Sequence, residues 1–218
     1  IDEPNVMAQK AVEKVKLGFD TLKIKVGTGI EADIARVKAI REAVGFDIKL
    51  RLYANQAWTP KDAVKAIQEL ADYQIELVER PVKRRDLEGL KYVTSQVNTT
   101  IMADESCFDA QDALELVKKG TVDVINIKLM KCGGIHEALK INQICETAGI
   151  ECMIGCMAEE TTIGITAAAH LAAAQKNITR ADLDATFGLE TAPVTGGVSL
   201  EAKPLLELGE AAGLGISH

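Results

Sequence analysis

The sequence predicts an α/β fold, a (β/α)8 TIM-type barrel, from three observations. Strand-like runs rich in β-branched residues recur at an interval of roughly 25 residues, as in the βαβ units of a parallel sheet. Between them lie helical patterns with apolar residues at i, i+3, i+4 and i+7. Several of the runs also end in charged residues or directly precede them, and the ends of the strands are where a parallel barrel carries its active site.

The barrel is expected to lack its first strand. Seven strand-like runs are present: Leu22–Val26, Ile48–Tyr53, Ile75–Glu79, Thr100–Ala103, Val122–Lys128, Glu151–Gly155 and Ala181–Asp184. The chain instead opens on a helix, which is predicted by Pro4 in its first turn and by Asp2 as the N-cap. We therefore expect a single barrel domain over residues 1–218, whose first strand lies upstream or comes from another chain.

An open doubly wound sheet is the alternative fold. It requires a glycine-rich phosphate turn after its first strand, and Val26-Gly27-Thr28-Gly29 offers only a weak match. The barrel is therefore the favoured prediction.

The composition excludes several classes of partner. The formal charge is −7 and the only short basic cluster is Lys83-Arg84-Arg85, which we interpret as a solvated loop, so neither nucleic acid nor an anionic membrane is an expected partner. No run approaches the roughly 20 apolar residues of a membrane span. The five cysteines include no CxxC pair, which is typical of reduced thiols in a cytoplasmic protein.

Charged residues close several of the predicted strands. Lys23 and Lys25 are two residues apart, so the period of a strand directs both side chains to one face. Glu79 and Asp104 end two neighbouring runs, and paired carboxylates of this kind suit a hard cation such as Mg²⁺. Lys128 ends a later run. Lysines on both sides of such an ion could take a proton from one face of a carbon and return it to the other.

These residues resemble the enolase superfamily, muconate-lactonizing subgroup, over essentially the whole chain. The motifs are Lys23-Ile24-Lys25, Ala54-Asn55-Gln56, Val78-Glu79-Arg80-Pro81, Ala103-Asp104-Glu105-Ser106 and Lys128-Leu129-Met130-Lys131-Cys132-Gly133-Gly134. The resemblance implies that Lys25 and Lys128 are the acid/base pair and that Lys23 assists electrostatically near the substrate carboxylate. It also implies Glu79 and Asp104 as magnesium ligands. Asn55 and Glu105 are then supporting residues.

Two later stretches are similar to the dipeptide epimerases within that subgroup. Asp182-Leu183-Asp184 matches an Asp-x-Asp that grips the free amino group of the substrate. Gly155-Cys156-Met157, followed by Glu159-Glu160, looks like the end of the preceding strand. The competing interpretation of Asp182 is a helix or turn cap, but Asp184 repeats it on the same strand face. The resemblance implies a small-molecule substrate, a short dipeptide of the Ala-Glu type, bound by Asp182, Asp184, Cys156 and Met157.

The sequence departs from the family pattern at two positions near the expected ion. Tyr53 stands where the family carries its first magnesium-binding aspartate, and a neutral phenol is a poor ligand for Mg²⁺. Arg80 replaces a glutamine and places a permanent cation beside the site. The family's N-terminal capping domain is also missing from the sequence. We therefore expect Mg²⁺ as the family's cofactor, bound weakly or not at all in this chain.

Three hypotheses for the function follow. The first is a dipeptide epimerase impaired by Tyr53. The second is a noncatalytic or engineered barrel scaffold that associates with itself, as a homo-oligomer or through the open edge of a fragment. The third is another reaction of the subgroup, cycloisomerisation or o-succinylbenzoate synthesis, which Asp182 and Asp184 disfavour because neither substrate carries an amine.

Overall fold

The computed structural model describes residues 1–158, 160–185, 194–200 and 204–217. They fall into two compact units. Unit 1 comprises Ile1–Ser106 with Lys119–Asp123, and unit 2 comprises Cys107–Lys118 with Val124–His218.

In unit 1, helices and parallel strands alternate. The elements are α1 (Pro4–Lys16), β1 (Thr21–Lys25), α2 (Ile30–Val44), β2 (Lys49–Tyr53), α3 (Pro60–Glu69), β3 (Ile75–Glu79), α4 (Leu87–Gln96) and β4 (Thr100–Ala103). Each strand pairs in parallel with the next along the chain. The predicted apolar faces are buried against the sheet, as Ile34, Val37 and Ile40 of α2 illustrate. Removing such aliphatic surface from water is the main source of stability in this unit.

The start of α1 differs from the prediction in one respect. Pro4 does occupy the first helical turn, but the N-cap is Glu3, and the N-cap residue makes no capping bond through its side chain. The Asp2 carboxylate accepts a hydrogen bond from the Glu3 amide and pairs with Lys10 at 3.0 Å. The prediction that Asp2 caps the helix was therefore wrong by one position, because Asp2 bonds to its neighbour and to a lysine further along.

Unit 2 repeats the same alternation. Its elements are α5 (Ala110–Lys119), β5 (Val124–Lys128), the single turn α6 (Leu129–Cys132), α7 (Ile135–Thr147), β6 (Glu151–Gly155), α8 (Thr162–Ala174) and β7 (Ile178–Asp182). Strands β5, β6 and β7 pair in parallel. Four two-residue strands follow and form two antiparallel pairs, β8 (Thr195–Gly196) with β11 (Ile216–Ser217) and β9 (Ser199–Leu200) with β10 (Leu206–Glu207).

The predicted α/β alternation is confirmed in both units; β1 is displaced by one residue, and β7 is displaced further. Strands β3, β4 and β6 have the predicted bounds, whereas β7 begins at Ile178 rather than Ala181 and ends at Asp182. Ile178 pairs with Cys152, and the Cys152 amide also bonds to the Asn177 carbonyl. The start was missed because polar Thr179 and Arg180 interrupt the apolar run. Among the parts of the chain that the structure describes, none of the helices combines the length and the apolar character that a membrane span requires.

Candidate active site at the strand ends

The strand register in unit 1 places three predicted site residues in a row. Lys25 at the end of β1 pairs with Tyr53 at the end of β2, and Tyr53 pairs with Glu79 at the end of β3. Asp104 follows the last residue of β4 and is fully buried. Because parallel strands end at one edge of a sheet, these side chains belong to the same edge of unit 1.

Lys23 and Lys25 share a face of β1, as predicted. Leu22 and Ile24 are buried on the other face. The Lys23 ammonium lies 2.7 Å from Oε2 of Glu79, whose side chain is only 1% exposed. In this chain, therefore, one of the two carboxylates predicted to bind magnesium already has a lysine as its counter-ion.

Tyr53 forms part of a polar cluster with Arg80. Its hydroxyl accepts a hydrogen bond from the Arg80 guanidinium at 2.7 Å and donates to Oδ1 of Asn55 at 3.3 Å. The same guanidinium nitrogen is ion-paired with the Glu105 carboxylate. The sequence placed Tyr53, Asn55 and Glu105 at this site; in the structure Asn55 is bonded to Tyr53, and Arg80 joins Tyr53 to Glu105.

The surroundings of Tyr53 keep its phenol protonated. Burial, followed by the negative charge of Glu105, raises the pKa of Tyr53 above its usual value of 10.0. The pKa of Glu105 is raised too, first by burial and then by the charge of Asp104, while Arg80 opposes the shift. A protonated phenol whose oxygen already accepts a bond from a guanidinium has little to offer a cation.

The residues in unit 1 do not fit a magnesium ion well. Mg²⁺ requires nearly ideal octahedral oxygen coordination, and it is held by carboxylates rather than phenols. Here Glu79 is paired with Lys23, and the oxygen of Tyr53 is engaged by Arg80. Throughout the part of the chain that the structure describes, no three carboxylate, thiol or imidazole side chains form a set that could hold a metal ion.

The loops that follow β2 and β3 contain unusual backbone. Asn55, Gln56 and Arg80 all adopt positive φ angles, of 49°, 65° and 57° respectively. The two loops are bonded together, because the Gln56 amide donates to the Arg80 carbonyl at 2.9 Å. Left-handed conformations at residues other than glycine cost free energy and concentrate at functional sites. Tertiary contacts therefore fix the direction in which the Arg80 side chain leaves the sheet.

Asp33 is a functional candidate that the sequence analysis missed. Its buried carboxylate accepts hydrogen bonds from the amides of Gly27, Thr28 and Gly29, in the loop directly after Lys25. It also accepts a bond from Nε1 of Trp58 at 3.3 Å and pairs with Arg36 at 3.1 Å.

The amides of the weak glycine turn thus bind an internal carboxylate rather than a phosphate, which argues against the open-sheet alternative. The sequence feature that could have revealed this role is an aspartate in the first turn of α2, placed to accept hydrogen bonds from the amides that precede the helix.

In unit 2, Lys128 ends a strand that is buried along its whole length. All five residues of β5 are buried, and Lys128 itself is 7% exposed. Lys131, the other lysine of this motif, donates to the carbonyls of Asn126 and Cys107, at 2.9 and 3.2 Å. The two lysines therefore differ in role: Lys131 is engaged by backbone carbonyls, and Lys128 is the one that closes the strand.

Packing around the end of β6 is tight. A Cβ on Gly155 would lie 2.6 Å from Oδ1 of buried Asn126, and a Cβ on Gly164 would lie 2.5 Å from the Glu160 carboxylate. Gly155 pairs with Lys128 in the register, so the absence of a side chain there leaves room for the neighbouring strand. Neither Asn126 nor the need for glycine at 155 was predicted, because nothing nearby in the sequence marks this contact between strands.

The predicted substrate-binding residues of unit 2 lie at the ends of β6 and β7. Asp182 is the last residue of β7 and pairs with Gly155, while Asp184 lies two residues beyond the strand and is exposed. The Cys156 thiol contacts Oδ1 of Asp184 at 3.9 Å, and Met157 is 41% exposed.

The strand itself therefore does not carry both aspartates. Their shared face is kept because Leu183 and Ala185, which alternate with them, are buried. Near them, the buried Glu160 carboxylate accepts the Met157 amide at 3.0 Å; Glu159 lies outside the described residues.

A family model described as "Enolase C-terminal domain-like" matches residues 6–218. The chain is 99% identical over 218 residues to a hydrophobic dipeptide epimerase of Enterococcus faecalis strain V583, covering 100% of this chain and 62% of that protein. It is 51% identical over 219 residues to an L-Ala-D/L-Glu epimerase of Bacillus subtilis strain 168, covering 99% of this chain and 59% of that protein.

Solved structures agree with these sequence relationships. A dipeptide epimerase from Enterococcus faecalis V583, complexed with Mg and the dipeptide L-Leu-L-Tyr, superposes with a TM-score of 0.98 at 99% identity, covering 100% of this chain and 62% of that one. The likeness confirms the fold class predicted from the sequence. The chain spans about three fifths of the length of the relatives it matches.

Proposed function

Because this chain belongs to the enolase C-terminal domain-like family, we propose that it is the barrel part of a dipeptide epimerase whose activity is impaired by Tyr53. We infer the impairment from the hydrogen bond between the Tyr53 hydroxyl and Arg80. Tyr53 stands at the register position between Lys25 and Glu79. The epimerase assignment rests on family membership and on relatives that are named dipeptide epimerases.

The proposed reaction is proton transfer at the carbon next to the dipeptide's carboxylate. One lysine, as the neutral amine, takes the α-proton, and the electron pair of the broken C–H bond is delocalised onto the adjacent carboxylate. The other lysine, as the ammonium, gives a proton to the opposite face, so the configuration is inverted. Lys25 and Lys128 are the proposed pair, and each ends a parallel strand of its own unit.

The enolate formed between these two steps needs positive charge nearby. Lys23 and Arg80 are already paired with Glu79 and Glu105, so neither cation is available to bind it at full strength. Losing one electrostatic contact of this kind commonly costs about 10²–10³ in rate. We therefore propose that the chain as it stands turns over very slowly or not at all.

Asp182 and Asp184 are proposed to bind the ammonium group of the substrate. They share a face at the end of β7, and Cys156 contacts Asp184 from the end of β6. An amine-binding pair favours a dipeptide over the substrates of cycloisomerases and o-succinylbenzoate synthases, which carry no amine. The sequence favoured an Ala-Glu type dipeptide, whereas the 99% identical relative is named for hydrophobic dipeptides. We therefore propose hydrophobic dipeptides as the first substrates.

Exchange of the α-proton in heavy water tests this proposal. We expect the chain as it stands to show little or no deuterium incorporation into L-Leu-L-Tyr or Ala-Glu. With the family's capping domain joined to it, Tyr53→Asp should recover exchange, because the cation-binding carboxylate is restored. Adding Lys128→Ala should abolish exchange again, with a loss of about 10²–10⁴.

Tyr53→Phe is the matched control, since it alters the same position without supplying a carboxylate, and it should recover nothing. The epimerase assignment fails if the restored Tyr53→Asp protein folds and binds Mg²⁺ yet stays inert toward every dipeptide. Rapid exchange by the unaltered chain would instead overturn the proposed impairment. A scaffold role gains support if neither form exchanges and the unaltered chain assembles into a defined oligomer.

A further inference from the structure

We propose that Arg80, held by the Tyr53 hydroxyl and by Glu105, is an internal counter-cation at the ends of β3 and β4, and that its charge weakens the binding of a divalent ion by the carboxylates there. The inference deepens the proposed function and rests on it for the identity of the metal site. It concerns charge and ion binding rather than catalysis.

Arg80 and Lys23 each contact a carboxylate at these strand ends, and both lie close to Tyr53. Arg80 binds Tyr53 and Glu105 through the same guanidinium nitrogen, and Lys23 binds Glu79 from β1 at 2.7 Å. The Tyr53 ring has both cations close to it, with the Lys23 ammonium 4.8 Å and the Arg80 guanidinium 5.8 Å from its centre. Tyr53 therefore connects the two cations instead of contributing a negative charge.

The charges at these strand ends are buried and must balance one another. Glu79 and Asp104 are almost completely buried, and Arg80 is only 9% exposed. An arginine cannot release its proton in a protein, so a buried one persists only when carboxylates compensate it. The carboxylates of this edge need positive charge for the same reason: Lys23 is paired with Glu79, and Arg80 is paired with Glu105.

Backbone hydrogen bonds hold Arg80 in this position. Its amide donates to the Met102 carbonyl and its carbonyl accepts from Gln56, so neighbouring segments hold it from both sides. It keeps a φ of 57° directly before Pro81, a combination that costs free energy for an arginine. Such strain is maintained only where the surrounding contacts over-determine it, which here are the contacts that direct the guanidinium to Tyr53 and Glu105.

Titration with Mn²⁺ of the full chain, followed by electron paramagnetic resonance, tests the proposal without any substrate. Arg80→Gln should bind Mn²⁺ at least tenfold more tightly than the unaltered chain, because the internal cation is gone while the carboxylates remain. Arg80→Lys keeps the positive charge, so its affinity for Mn²⁺ should rise little above that of the unaltered chain. Arg85→Gln is the matched control: it removes the same charge from an exposed arginine of the following loop and should change nothing.

A second variant keeps the proposal testable if Arg80→Gln does not fold. Tyr53→Phe keeps the ring but removes the oxygen that holds Arg80, so its affinity for Mn²⁺ should lie between those of the unaltered chain and Arg80→Gln. The proposal is overturned if Arg80→Gln, with an unchanged circular dichroism spectrum, binds Mn²⁺ no better than Arg85→Gln. It is equally overturned if only Tyr53→Phe can be measured and matches the unaltered chain. Either result leaves the epimerase assignment standing, since deuterium exchange tests that separately.

Discussion

The two units organise their strand ends by different means. In unit 1, the ends of β1 to β4 are joined by charge and hydrogen bonds: Lys23 to Glu79, Arg80 to Tyr53 and Glu105, and Asp33 to the loop after β1. In unit 2, the ends of β5 and β6 are shaped chiefly by packing, with a wholly buried β5 and the side chain of Asn126 against Gly155.

The difference indicates which kind of substitution should disturb the strand ends of each unit. Where charges and hydrogen bonds are balanced among themselves, as in unit 1, removing one polar side chain leaves its buried partners uncompensated. In unit 2, close packing fixes the positions of the side chains at the strand ends. A substitution there should act by changing the packed volume. The comparison predicts that unit 1 depends on polar contacts and unit 2 on volume.

The largest effect is expected at Asp33. Asp33→Ala removes a buried carboxylate that accepts three loop amides and the Trp58 indole, so donors are left buried without an acceptor. We expect a loss of about 3–5 kcal/mol in the free energy of unfolding, measured by urea denaturation.

Asp47→Ala is the matched control, because Asp47 is exposed and a surface change of this kind stays within about 0.5 kcal/mol. Asp33→Asn should fall between the two, since it keeps the shape but replaces one acceptor oxygen by a donor. If Asp33→Ala proved no more destabilising than Asp47→Ala, the dependence of unit 1 on polar contacts would be refuted.

A smaller effect is expected at Gly155. A methyl group there would stand 2.6 Å from Oδ1 of Asn126, so Gly155→Ala forces either the Asn126 side chain or β6 to move. Overpacking of this kind typically costs about 1–3 kcal/mol, which the same urea denaturation would measure.

Gly209→Ala is the matched control, because a Cβ at that position meets nothing within 4 Å. An additional Asn126→Ala substitution removes the obstructing amide, so the combined variant should lose less than the two single losses added together. Simple additivity would show that the two side chains do not collide, contrary to the packing account of unit 2.

The sequence predicted those features of the fold that depend on local pattern. Bounds were correct where an apolar run stops at a charge or a glycine, as at Glu79 and Gly155, and wrong at β7, where polar Thr179 and Arg180 hide the start of the strand. The α2 face with Ile34 and Val37 followed directly from helical periodicity.

For the candidate site, it was easier to predict which residues take part than which residues they contact. Motifs drew attention to Glu79, Arg80 and Tyr53, but no pattern of spacing could show that Lys23 pairs with Glu79 or that Arg80 turns inward. Those contacts depend on which rotamers the packed strand ends allow. Asp33 was missed for a related reason, since a carboxylate in the first turn of a helix is common and only its burial distinguishes this one.

The smallest effect, on the rate at which a thiol is alkylated, is expected at Cys156. This thiol is partly buried and also lies near Asp182 and Asp184. Burial, followed by the charges of Asp182 and Asp184, raises the pKa of this thiol to about 11. For a thiol, a raised pKa means that the neutral form prevails at neutral pH, so alkylation by iodoacetamide should be slow at pH 8 and accelerate as the pH approaches 11.

Asp184→Asn removes one nearby negative charge but leaves the burial, which is the larger cause. It should therefore lower the thiol's pKa modestly and speed alkylation at pH 8 by a few-fold at most. Peptide mass spectrometry can follow Cys156 apart from the other cysteines, with Asp109→Asn as a charge-matched control at a position where Cys156 should be unaffected. A large acceleration in Asp184→Asn would mean that charge rather than burial governs this end of unit 2, and the contrast between the two units would then no longer hold.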